Sequence, residues 1–66
     1  PRISDGFDTD TLTLDTAGLT GITGYEWRIV GGATQGTASS LSGSGLGGKW
    51  IECAVTCDQG VLTARR

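Results

Sequence analysis

No window of this chain keeps apolar residues at i, i+3, i+4 and i+7 for three turns, because glycine, serine or threonine interrupts every one. A long helix is therefore excluded. What survives is a period of two. "DTLTL" (Asp10 to Leu14), "YEWRIV" (Tyr25 to Val30) and "KWIECAVT" (Lys49 to Thr56) each alternate in side-chain character and are rich in β-branched or aromatic residues. The chain reads as all-β.

Alternation also assigns faces. Leu12 and Leu14 share one side of the first segment, with Thr11 and Thr13 toward water. In the second, Tyr25, Trp27 and Ile29 lie opposite Glu26, Arg28 and Val30. In the third, Ile51, Cys53, Val55 and Cys57 lie opposite Trp50, Glu52, Ala54 and Thr56. The core expected from this pattern is Leu12, Leu14, Trp27, Ile29, Ile51 and Val55. "DQG" (Asp58 to Gly60) is hairpin-turn chemistry, since glycine supplies the positive φ such turns need, and "VLTARR" can return antiparallel.

Between the two best strands runs "GGATQGTASSLSGSGLGG" (Gly31 to Gly48), with only Leu41 and Leu46 for bulk. One short strand around Thr37 to Leu41 and a tight turn at Ser44 to Gly48 are expected there, although a flexible linker has the same composition. Short strands separated by turn signals suggest a two-sheet sandwich over Asp10 to Arg66, with Pro1 to Thr9 as an N-terminal arm or edge strand.

A 66-residue chain allows one domain. A domain of that size buries only about 60% of the surface its unfolded chain exposes, so a staple or a neighbouring subunit is expected. Five basic residues against seven acidic ones, with no basic run beyond Arg65-Arg66, leave no footprint for tracking a phosphate backbone. Nucleic acid is not an expected partner. A membrane is not expected either, because no apolar run approaches the roughly 18 residues of a span, and no leader resembles a signal peptide. A start at Pro1 fits a processed leader, a trimmed chain or a removed initiator Met. The last is preferred, and it implies synthesis in a cytoplasm, where thiols stay reduced.

The chain has no histidine, and so lacks the commonest general base and neutral metal ligand. Its carboxylates have no cleft to face, and no enzyme activity and no cofactor are expected. Asp5, Asp8, Asp10 and Asp15 cluster near the start, but "DGFDTD" does not fit the spacing of an EF-hand loop and reads as a solvated strand edge. "GSGLGG" is followed by Lys49, Trp50 and a strand, which excludes a phosphate loop opening a helix.

Two cysteines four residues apart raise disulfide, metal and redox readings. In an extended strand that spacing spans about 13 Å, whereas a disulfide needs its Cα atoms within about 7 Å. Two thiolates supply half of a tetrahedral zinc site. Cys53 is expected as a small buried hydrophobe near Trp27. Cys57 is expected at an exposed strand end, free or cross-linked to another chain, with Cys53 as the second candidate for such an interchain disulfide. Trp50 points away from the core, with Arg28 and Glu52 on its side. These three are the candidate interface residues, with rim cover and a carbohydrate platform as the other readings of Trp50.

The series Trp27, "GATQGTASSL", "GLGGKWIECAVT" and "DQG" followed by a strand resembles the bacterial and phage immunoglobulin-like domains over Asp10 to Arg65. The resemblance implies Trp27 on strand C, Cys53 on strand F and "VLTARR" as strand G. Leu12 or Leu14 then occupies the strand-B site where antibody-type domains carry the partner cysteine, so the usual inter-sheet disulfide cannot form. A full domain runs to about 100 residues, so one or two edge strands are expected to be missing or supplied by a neighbour.

It further implies a non-enzymatic virion-surface protein that decorates or cements a phage capsid or tail in many copies. Its partners would be capsid or tail subunits and copies of itself. The alternative is an immunoglobulin-like repeat of a larger surface protein, recognising glycan or a host receptor through Trp50, Tyr25 and threonine-rich faces.

Overall fold

The structure, a computed structural model, describes residues 1–5, 11–43 and 45–66. Phe7, Asp8 and Asp10 of the acidic start, and Ser44 of the expected turn, lie outside the described residues. The strands are β1 (Arg2–Asp5), β2 (Thr11–Asp15), β3 (Gly24–Ile29), β4 (Thr34–Gly36), β5 (Ser40–Ser42), β6 (Ile51–Cys57) and β7 (Gly60–Arg65), with no helix among the described residues. They form two antiparallel sheets, one ordered β1-β2-β5 and the other β4-β3-β6-β7.

The sheets meet over one apolar cluster. Leu12 and Leu14 of β2 and Leu41 of β5 pack with Trp27, Ile51, Cys53, Val55 and Ala64 of the larger sheet. Trp27, Ile51, Cys53 and Val55 are all 0% exposed. Period-two alternation thus places the inward residues of β2, β3 and β6 as the sequence predicts, with one correction. Ile29 is half-buried and flanks the cluster, because β3 ends there and the chain turns outward. Ala54 is on the outer face, yet it is buried: in register it lies between Glu26 and Thr63, whose longer side chains flank its methyl.

The glycine- and serine-rich stretch forms two strands where the composition suggested one. β4 pairs with β3 in the larger sheet and β5 pairs with β2 in the smaller. A single strand over Thr37 to Leu41 cannot serve both sheets, so residues 37–39 cross between them. That crossing is fastened from inside, where Trp27 Nε1 donates to the Ala38 carbonyl at 2.8 Å. The described residues form seven strands of three to seven residues each, short enough for both sheets to fit in a chain of this length.

β6 and β7 join through Asp58 and Gln59, and Gly60 takes φ 103 as the turn chemistry requires. The connection from β2 to β3 folds against this turn. Asp58 N donates to the Thr20 carbonyl at 3.1 Å, Thr23 N donates to the Thr56 carbonyl at 2.9 Å, and the Thr20 hydroxyl donates to the Asp58 carboxylate. Gly21, at φ 65, sits so close that an added Cβ would lie 3.0 Å from Asp58 Cβ. Gly21→Ala should therefore cost about 1–3 kcal/mol, through strain and loss of the clasp, as read by urea denaturation. A cost near zero would show that the two loops are not held together.

Candidate interaction surface

The clasp changes the reading of Cys57. Its two backbone bonds to the β6–β7 region, at Thr56 and Asp58, bracket Cys57 in sequence. The residue expected at an exposed strand end is only 8% exposed. Cys53 lies opposite Trp27 and is fully buried, as the sequence predicts. Both thiols are free. An interchain disulfide through either would first require the sandwich to open, so the fold gives that candidate pairing no support. Burial pushes the Cys53 thiol from 9.0 up to about 11, with the backbone of Glu26 offsetting part of the effect. Such a thiol is a poor nucleophile and a poor metal ligand at neutral pH. Among the described residues, no group of three or more His, Cys, Asp or Glu is placed to hold a metal ion.

The outer face of the larger sheet carries the charge. Arg28, Glu52 and Arg65 are direct neighbours in register across β3, β6 and β7. Glu52 receives both cations: Arg65 Nε donates to its Oε1 at 3.0 Å and Arg28 Nε lies 3.1 Å from its Oε2. The Arg28 contact is a charge contact, since that Nε lacks the alignment of a hydrogen bond. Glu26 extends the row, 3.6 Å from Arg28 Nη2 and accepting from Thr34 Oγ1 at 2.7 Å. The row thus spans all four strands, β4 included. Arg28 and Glu52, expected at an interface, are engaged first with each other and with their neighbours.

Beyond this row the sheet ends in exposed apolar side chains. Val30 N donates to the Trp50 carbonyl at 2.9 Å, which continues the β3–β6 register by one step and sets Val30 across from Trp50 on the outer face. Trp50 is 68% exposed and Val30 37%. Gly48, Lys49, Trp50 and Arg66 line a shallow cleft there. Sequence reasoning singled out Trp50 but passed over Val30, although its parity with Glu26 and Arg28 was the available signal. Tyr25 is on the opposite face, half-buried against the core. The structure therefore separates Tyr25 and Trp50, which the glycan reading joined in one stacking surface.

In comparison with known proteins, no family model, no curated protein and no solved structure matches this chain.

Proposed function

We propose that this chain is a non-enzymatic, immunoglobulin-like assembly module that decorates or cements a phage capsid or tail through many-copy protein contacts. The observation that carries the reading is Trp50, a large aromatic side chain held 68% exposed at the end of a rigid sheet, next to Val30 and beside Lys49 and Arg66. Tryptophan, tyrosine and arginine are the side chains most enriched in binding hot spots.

Strand order supports the fold half of the reading. Immunoglobulin-like sandwiches set strands A, B and E against C, F and G, and some add C′ beside C. Taking β1 to β7 as A, B, C, C′, E, F and G matches the two sheets, with strand D absent. On that assignment Trp27 of strand C lies beside Cys53 of strand F, with Leu12 and Leu14 on strand B, which supports the resemblance.

Immuno-electron microscopy of particles from a host carrying this gene tests the proposal. Regular labelling of shell or tail is expected, and label confined to the soluble fraction overturns it. Trp50→Ala should leave stability within about 0.5 kcal/mol, as exposed substitutions do, while abolishing that labelling. Full labelling by Trp50→Ala would move the contact to another surface.

A further inference from the structure

Among the described residues the sandwich has four sheet edges, and three carry ordinary protection against wrong pairing. β4 is three residues long and its pairing with β3 shifts register between Trp27 and Arg28. β5 is also three residues long. β1 is four residues long, preceded by Pro1 and charged at both ends by sequence. β7 differs: it is six residues long, pairs with β6 without a register shift, contains neither proline nor lysine, and bears one charge, Arg65, which is bonded to Glu52.

Its hydrogen-bonding parity is fixed. Ile51 and Arg66 exchange both backbone bonds, each at 2.8 Å. Alternation along an antiparallel pair then assigns Ala64, Leu62 and Gly60 to β6, and turns the backbone N–H and C=O of Val61, Thr63 and Arg65 toward the open side. Among the described residues no strand pairs there. β1 passes beside β7 but is bonded to β2 in the other sheet. Val61, at the start of this row, is 62% exposed.

We propose that β7 is a self-pairing edge, whose partner is β7 of a second copy, joined antiparallel about a two-fold axis through Thr63. The three open positions are symmetric about Thr63, so one register satisfies all of them: Thr63 meets Thr63, and Val61 meets Arg65 of the second copy. Each pair exchanges both of its N–H···O bonds, and the two four-stranded sheets become one continuous sheet. The side chains agree with the backbone. Threonines face each other at the centre, and the aliphatic stem of Arg65 crosses the exposed Val61 of the other copy. Each Arg65 stays bonded to Glu52 of its own chain, so no like charges are opposed. A closed, isologous dimer follows, rather than an open fibre.

This pairing deepens the assembly reading by naming the self-contact, and it is tested separately from it. Sedimentation velocity on the purified chain should show a concentration-dependent monomer–dimer equilibrium, and amide exchange at Val61, Thr63 and Arg65 should slow as concentration rises. Thr63→Pro deletes the central donor at a position where an edge strand tolerates proline. Val61→Lys sets a cation against Arg65. Both variants should be folded monomers by circular dichroism, and if Thr63→Pro fails to fold, Val61→Lys decides. A wild-type chain monomeric at every concentration, or a dimer that survives the decisive substitution, overturns the pairing. Trp50→Ala should keep the dimer while losing particle labelling, so failure of one idea is distinguishable from failure of the other.

Discussion

Trp27→Ala should remove a large part of the chain's stability. The indole is 0% exposed, packs with residues from both sheets, and donates to the Ala38 carbonyl where the chain crosses between them. Truncating such a side chain costs about 3–5 kcal/mol, and orphaning the carbonyl adds about 1 kcal/mol. At roughly 0.05–0.15 kcal/mol per residue, a chain of this length has in total about 3–10 kcal/mol. Trp27→Phe keeps much of the apolar volume but removes the donor, and should cost roughly 1–3 kcal/mol. Urea denaturation followed by far-ultraviolet circular dichroism measures both. A Trp27→Ala variant as stable as the parent would mean that the sheets are not held by this residue.

The second large effect is expected at the thiols. In the folded chain neither Cys53 nor Cys57 should react with a water-soluble disulfide reagent at neutral pH, and both should react once urea opens the sandwich. The same burial makes stability fall in alkali. The Cys53 thiol titrates near 9.0 when unfolded and near 11 when folded, so between those values the unfolded chain holds fewer protons. Below pH 9 the contribution is fully present. It declines as pH rises, by at most about 1.4 kcal/mol per pH unit, and levels off above pH 11. Cys53→Ala lacks this thiol, and its stability should vary less with pH over the same window, from a lower starting value because a buried sulfur is lost. Equal slopes for parent and variant would assign the alkaline loss to other groups. Rapid labelling of the native chain would contradict the clasp at Cys57.

Much of this molecule was legible one strand at a time. The two-residue period in β2, β3 and β6 identified the inward faces, because a strand sends successive side chains to opposite sides whatever its partner is. "DQG" marked the β6–β7 turn for an equally local reason: the positive φ of Gly60 is a property of one residue. Trp50 was placed outward by the same parity that placed Cys53 inward.

Other features had no local signature. β4 and β5 are made of small, weakly patterned residues, and they are strands because β3 and β2 offer them partners and Trp27 holds the crossing between them. Cys57 is buried because a loop some 35 residues away in sequence lies against its turn, through Thr20, Gly21 and Thr23. The undefended edge at β7 exists only once every other strand has found its place. The sequence by itself determined that this chain is all-β and which side chains point inward, because those follow from steric preferences and alternation within a few residues. The tertiary structure alone decided how many strands the described residues form, that Cys57 is covered as well as Cys53, and which of their edges is left open, because each depends on pairing between segments far apart in the chain.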